Sequence, residues 1–576
     1  MPEMDKILAH FVYLYGDQEG RATYDRLVRL IDRYRSRIAS PMETTISERD
    51  AILITYGDQV QQTGITPLRA LAEFCDEVLS GVVSAIHILP FFPFSSDDGF
   101  SVIDYKQVNP ALGDWDDIFR MGKRFRLMFD AVINHISAQS AWFQGFLQDQ
   151  PAYRDYFIVV EGQPDLSQVV RPRALPLLTS VSTSSGEKSV WTTFSTDQID
   201  LNYQNPQVLL EIVDTLLFYI EKGAEFIRLD AIAYLWKEIG TSCIHLPQTH
   251  RVVQLFHSIL DILAPQVQII TETNVPHDEN ISYFGDGENE AQMVYNFALP
   301  PLVLHTMQTG DARAISRWAA GLKLSSDQVT FFNFLASHDG IGVTPAKGLI
   351  SPEEINMLVE RALAHGGLVS YRSNPDGSQS PYELNINYFD ALSDPKGGEL
   401  LHKQVKRFIA AHAIMLSLVG VPGIYFHSIF GSRGWLEGVA ITGRNRTINR
   451  QKLDLTELKA GLSDPGSTRS MVNEGLAGLL KARAAHPAFH PYGQQRILDL
   501  GARIFCILRT SPDGRSRVVC LQNVSDQVVQ VGLPLEGLAF DPTSLPIDII
   551  TQGKVELSSP GRLSLQPYQV LWMADI

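Results

Sequence analysis

The run Phe226-Ile227-Arg228-Leu229-Asp230-Ala231-Ile232 begins as an apolar strand and ends in an arginine and an aspartate two residues apart. Residues two apart on a strand face the same way, so Arg228 and Asp230 share one side of the sheet. A cation at that distance favours the ionised carboxyl, as a nucleophile needs; a strand-end aspartate held by a local salt bridge reads the same way. Val267-Gln-Ile-Ile-Thr-Glu272-Thr-Asn274 repeats the pattern, and Phe331-Phe-Asn-Phe-Leu-Ala-Ser-His338-Asp339-Gly340 closes on a histidine–aspartate pair. Three strand-like runs thus deliver acids at their C-terminal ends. In a (β/α)8 barrel those ends open on one mouth, where active sites sit.

Outward from these three, strand-like runs start near residues 51, 84, 126, 292 and 421. Helix-length stretches such as Pro206 to Lys222 alternate with them, which predicts a closed parallel barrel of the (β/α)8 class. The first part of the barrel occupies residues 1–136, with helices up to about 48. The rhythm stops over 137–196, where Arg171-Pro-Arg173 and a Ser/Thr patch lie, and an excursion that long predicts an inserted domain after the third strand. Barrel sequence resumes over 197–343. A second insertion, rich in turn residues, occupies 344–393 after the seventh strand, and 394–489 complete the barrel. From 490 to 576, short alternating runs such as Arg503 to Arg509 predict an all-β domain, a sandwich.

Composition narrows the partners. A net charge of −16 speaks against nucleic acid and against an anionic membrane surface. The four cysteines, Cys75, Cys243, Cys506 and Cys520, match no zinc spacing and suit a reducing compartment. The N-terminal residues lack the basic start and apolar core of a signal peptide. The weakly charged stretch from Phe408 to Phe426 is broken by Gly420-Val-Pro422-Gly423, so it reads as a buried helix and strand and not as a membrane span. The expectation is a soluble, cytoplasmic protein.

A mouth with an ionised aspartate, a glutamate able to carry a proton and a third carboxylate fits glycosyl transfer through an oxocarbenium-like transition state. Asp230 would attack the anomeric carbon, Glu272 would serve as acid and then base, and Asp339 would hold the sugar hydroxyls. Two attacks at one carbon give retention.

Asp130-Ala-Val-Ile-Asn-His135, Arg228-Leu-Asp230, Glu272 and His338-Asp339 resemble the four conserved regions of the α-amylase superfamily, glycoside hydrolase family 13. The resemblance implies the barrel, the insertion after its third strand and the C-terminal β-sandwich. It also implies Asp230 as nucleophile, Glu272 as acid/base and Asp339 as stabiliser, with Arg228 and His338 in support. Tyr56-Gly-Asp58, Phe100 to Asp104, Arg171-Pro-Arg173, Gly240 to His245 and Asn445 to Arg450 are similar to the sucrose phosphorylase subfamily. That likeness implies that Asp58 and Arg446 grip the glucose, with Arg173 near the acceptor and phosphate; Tyr105, His135 and Tyr234 are further candidate substrate-binding residues. Tyr105 departs from the subfamily, which carries a histidine there.

Ser95 to Tyr105, Trp191 to Ser195, Ile270 to His277, Phe334 to Gly342 and Asn374-Pro-Asp-Gly377 look like the glucosylglycerate phosphorylase branch. The branch implies reversible phosphorolysis of 2-O-α-D-glucosyl-D-glycerate to α-D-glucose 1-phosphate and D-glycerate, with phosphate as co-substrate and no cofactor or metal. An acceptor carboxylate wants a cation; Arg372, with Tyr371 and Gln379 beside it, is the candidate, or else a solvated loop arginine. Arg173 and the loop around Gly366 are candidates for phosphate. Fructose, fructose 6-phosphate and glycerol remain alternative acceptors. A hydrolase or transglucosidase of the superfamily and a non-catalytic partner subunit are the further readings, the last opposed by the complete set of acids.

Overall fold

The computed structural model describes residues 2–38, 45–173, 175–374, 378–533, 546–557 and 561–574. Eight parallel strands close a barrel in strict chain order: β1 (Ile52–Thr55), β2 (Ala85–Ile88), β3 (Arg126–Ala131), β4 (Ala224–Leu229), β5 (Gln268–Thr271), β6 (Met293–Tyr295), β7 (Thr330–Phe334) and β8 (Val421–Tyr425). Each strand lies at a run anticipated from sequence. The barrel closes where Ile52 of β1 registers with both Gly423 of β8 and Ala85 of β2. Gly423 has no substitute there, because a Cβ would run into the Phe332 ring of β7.

Most strand residues are fully buried, as a packed barrel interior ringed by helices requires. The helices bring their own start signals. Pro206–Glu221 has Asn205 as N-cap, its side chain accepting the Gln207 N–H, and a proline in the first turn. The N-terminal helical segment Pro2–Arg35 is broken at Gly16, whose φ of 78° only glycine adopts freely. The stretch from Phe408 to Phe426 holds the end of helix Leu401–Ser417 and all of β8. No described helix is long and apolar enough to cross a membrane.

The first insertion leaves and rejoins the barrel through a neck of two antiparallel strands, His135–Ser137 and Gln198–Asp200. At the neck, the buried Asp200 accepts from Thr193 N at 2.8 Å, Thr193 Oγ1 at 2.7 Å and Asn134 Nδ2 at 3.1 Å. The Lys237 ammonium, which follows β4, pairs with Asp200 at 2.5 Å and donates to Asn134 Oδ1 at 2.8 Å. One buried cation therefore ties the insertion to the barrel.

The second insertion is more regular than its sequence suggested. It contains helix Pro352–Ala364, opened by a capping box between Ser351 and Glu354, and a hairpin of Leu368–Ser373 with Gln379–Asn385. After the barrel, a six-stranded sheet and a two-stranded sheet form the C-terminal domain. Alternation along Ile504–Thr510 turns Ile504, Cys506 and Leu508 into the core between these sheets, while Phe505 and Ile507 pack on the barrel core.

Candidate active site

Arg228, the penultimate residue of β4, organises the mouth. Its Nη1 donates to Asp230 Oδ1 at 2.8 Å and to Asp130 of β3, and its Nη2 lies 3.8 Å from Glu272 Oε2. His87 of β2 braces the far side, with Nε2 2.7 Å from Asp130 Oδ2. The chain then turns at Ala231, whose φ of 48° is unusual for a residue with a Cβ, and its N–H donates to Glu272 Oε2 at 3.0 Å. One turn therefore sets the spacing of Asp230 and Glu272.

Asp339 is clamped from another side. Its Oδ1 meets Arg446 Nη1 at 2.6 Å, His338 Nε2 at 3.4 Å and Arg450 Nη2 at 3.5 Å. The His338 imidazole stacks on Phe100 with centroids 4.8 Å apart. Arg446 also pairs with Glu383 at 3.1 Å, and Glu383 Oε1 accepts the Gly340 N–H at 2.8 Å. The second insertion is thus fastened to the backbone beside Asp339.

The electrostatics divide the three acids. Burial pushes the carboxyls of both Asp230 and Glu272 upward against the pull of Arg228, with repulsion from Glu272 adding to the rise at Asp230 and repulsion from Asp339 to the rise at Glu272. Arg228 sits closer to Asp230 than to Glu272, and that proximity favours the anion on Asp230 over the anion on Glu272. For Asp339, burial alone would raise the value, but Arg446 and its neighbours outweigh it and hold the carboxyl well below the usual range. Burial likewise keeps His338 neutral, pushing its imidazole down to about 3. Of the three acids, Asp339 is the one its neighbours hold ionised, while Asp230 and Glu272 share the raised, proton-carrying end of the mouth.

The three acids face a cavity of about 80 Å³, walled by His135, Phe194, Tyr234, Arg173 and Arg446. It opens into an outer basin of about 460 Å³, with Asp97, Arg173, Tyr382 and Arg446 shared between the two. Among the described residues no cluster of His, Cys, Asp and Glu is arranged to hold a metal ion.

Of the residues expected from sequence, Asp230, Glu272, Asp339, His135, Arg173, Tyr234, His338 and Arg446 line the inner cavity, with Arg228 directly behind. Asp58 does not reach it; its carboxylate pairs with Lys452 at 2.5 Å. Tyr105 is corrected outright. Its hydroxyl needs a partner in the interior and donates to the His135 carbonyl at 2.9 Å, so the ring props His135 from behind.

Arg372 and Gln379 are not brought to either space. In the hairpin Arg372 pairs with Ser380, to whose Oγ its Nε donates at 3.4 Å, and Gln379 is exposed near the tip. A register shift between Ser370 and Tyr371 presents Ser370, Tyr371, Tyr382 and Glu383 to the basin instead. Gly366 follows helix Pro352–Ala364 and does not line the basin. Sequence reasoning missed Asp97, Gln198, Tyr382, Glu383, Arg444 and Arg450. Asp97 and Arg450 carried a signal, lying in the Ser95 to Tyr105 and Asn445 to Arg450 runs; Gln198 comes from the neck strand and Tyr382 and Glu383 from the hairpin, whose placement only the fold reveals.

A closed barrel whose fourth, fifth and seventh strands deliver Asp, Glu and Asp to one mouth defines an α-amylase-type glycoside-active enzyme. Residues 79–344 match the family model "Alpha amylase, catalytic domain". The chain is 50% identical to a glucosylglycerate phosphorylase of Spirochaeta thermophila, covering 100% of this chain and 99% of the relative. It is 52% identical to one from Allomeiothermus silvanus, covering 91% and 94%. The crystal structure of sucrose 6F-phosphate phosphorylase from Thermoanaerobacter thermosaccharolyticum superposes with a TM-score of 0.72 at 25% identity, over 84% of this chain and 96% of that one. The chain belongs to the α-amylase family, in its glucosylglycerate phosphorylase branch.

Proposed function

We propose that the protein is a retaining α-glucoside phosphorylase that converts 2-O-α-D-glucosyl-D-glycerate and phosphate reversibly to α-D-glucose 1-phosphate and D-glycerate. In the first step an Asp230 oxygen bonds to the anomeric carbon while the bond to the glycerate oxygen breaks, and Glu272 gives that oxygen its proton. In the second step a phosphate oxygen displaces Asp230 and its proton passes to Glu272. Asp339 holds sugar hydroxyls and offsets the positive charge on the ring. Two inversions at one carbon retain the α configuration.

The observation that carries the reading is the Arg228 fork, 2.8 Å from Asp230 and 3.8 Å from Glu272 across one cavity, which supports the anion on Asp230 and the proton on Glu272. An outer basin rich in arginine supports charged partners for the transfer, both glycerate and phosphate. Relatives of this branch at half identity support the same pair of substrates. Phosphate is the one co-substrate the mechanism needs, and no step calls for a metal, nucleic acid or membrane. Four free, buried cysteines and the use of phosphate support a cytoplasmic enzyme.

The test is phosphate release from α-D-glucose 1-phosphate with D-glycerate, glycerol, fructose or fructose 6-phosphate offered separately. Release fastest with D-glycerate is expected. Faster release with fructose or its phosphate overturns the acceptor, and glucose release without acceptor preference overturns the phosphorylase.

A further inference from the structure

The outer basin is lined by Arg173, Arg444, Arg446 and Arg450, against Asp97 and Glu383. Three of these arginines are already engaged. Arg446 is held by Asp339 and Glu383, Arg450 by Asp98 and Asp339, and Arg173 by Asp97 at 3.6 Å. The fourth is not. Among the described residues nothing partners the Arg444 guanidinium, although the chain carries a net charge of −16 and has carboxylates to spare. A cation left unpaired at the rim of a substrate basin is set to receive an anion from outside.

The backbone beneath Arg444 is well held. Helix Leu436–Thr442 ends at Gly443 with φ 68°, and the Arg444 N–H then donates to Thr442 Oγ1 at 3.2 Å. Thr442 Oγ1 in turn lies 2.8 Å from Thr447 Oγ1, and Asn445 Nδ2 donates to Ser370 Oγ of the hairpin at 3.4 Å. The turn therefore fixes the Arg444 backbone on the basin wall, next to the hairpin and to Arg446, and leaves its side chain exposed at the rim. Arg372, the cation expected from sequence for this task, is directed to Ser380 and away from the basin.

We propose that Arg444 is the oxyanion anchor of the acceptor site, binding the carboxylate of D-glycerate or the phosphate that takes its place in the second step. The proposal rests on the phosphorylase reading above, and it names the residue that makes that site selective for a charged acceptor. A planar fork suits either oxyanion, since both present two oxygens on one edge.

The experiment compares the native protein with Arg444→Ala and Arg444→Lys, using α-D-glucosyl fluoride as a donor that places no oxyanion in the basin. Loss of a charge-assisted hydrogen bond corresponds to roughly a tenfold to hundredfold change. In Arg444→Ala the preference for D-glycerate over uncharged glycerol, as the ratio of kcat/KM values, is expected to fall by about that factor. Arg444→Lys, which keeps the charge and loses the fork, falls between. The KM for phosphate, and phosphate affinity by titration calorimetry, are read on the same three proteins. A shift for glycerate alone or phosphate alone supports the anchor and identifies its anion. An unchanged acceptor ratio together with unchanged phosphate binding overturns it. Native protein that uses neither D-glycerate nor phosphate better than water overturns the phosphorylase reading instead, and calorimetry still decides Arg444.

Discussion

Lys237→Met removes the ammonium that joins the first insertion to the barrel. Asp200 is 0% exposed and Lys237 has 2% of its side chain accessible, so solvent cannot take over the lost charge. Removing one partner of a buried pair costs about 3–5 kcal/mol, because the other charge stays behind uncompensated. Here Asp200 retains the Thr193 N–H, the Thr193 hydroxyl and the Asn134 amide, which places the expected cost near the lower end, about 3 kcal/mol. The assay is urea unfolding followed by fluorescence, with a second variant carrying Lys237→Met and Asp200→Asn together. Deleting both charges is expected to recover most of the loss, to within about 1 kcal/mol of the native protein. Because Asn134 precedes His135 of the inner cavity, activity of the single variant falls alongside. A single variant that loses less than about 1 kcal/mol, or a double variant no better than the single, would refute the argument that this pair is closed to solvent.

Glu272→Gln is expected to slow phosphorolysis by about 10²–10⁴-fold, the usual worth of a general acid, and to slow cleavage of α-D-glucosyl fluoride far less because fluoride leaves unaided. Equal losses on both donors would remove Glu272 from that role. With the same variant and α-D-glucosyl fluoride, mass spectrometry should find a hexosyl group on the peptide bearing Asp230; a label on another peptide excludes Asp230 as nucleophile. Burial raises Glu272, and its protonated form is the active one, so kcat/KM for phosphorolysis should fall as pH rises through that raised value. The alkaline limb should therefore lie above the ordinary glutamic acid range near ~4.3. An alkaline limb at the ordinary value, or one that persists for the first step with α-D-glucosyl fluoride, contradicts the assignment.

The barrel was legible because its strands bury both faces and end in polar residues, a pattern short enough to read at each of the eight positions. Asp230, Glu272 and Asp339 follow directly from strand ends, whose orientation the fold dictates. Tyr105 and Asp58 lie on loops, where the partner decides direction: the His135 carbonyl turns Tyr105 inward and Lys452 draws Asp58 aside. Arg372 lies beyond a register shift that only Pro381 on the paired strand marks, and Gln379 lies at the exposed end of the hairpin. Helix Pro352–Ala364 could have been read, since Ser351-Pro-Glu-Glu354 is a capping box; the turn residues further along obscured it.

The walls of the two spaces have different origins. The nucleophile, the acid and the stabiliser stand at strand ends of the barrel, whereas the basin is walled by Arg173 from one insertion, Tyr371 and Glu383 from the other, and the Gly443–Arg450 turn. Bond-breaking and partner choice therefore draw on different parts of the polypeptide, joined through Arg446 and Arg450, which hold Asp339, and through the Glu383 link to Gly340. Exchanging a loop can redirect the glucosyl group to a new recipient while the reaction itself stays intact. A scaffold divided in this way can diversify by substituting its periphery, and a designer seeking a different glucoside would recast the hairpin tip and Arg444 while keeping Glu383, Arg446 and Arg450, which hold Asp339 and its backbone in place.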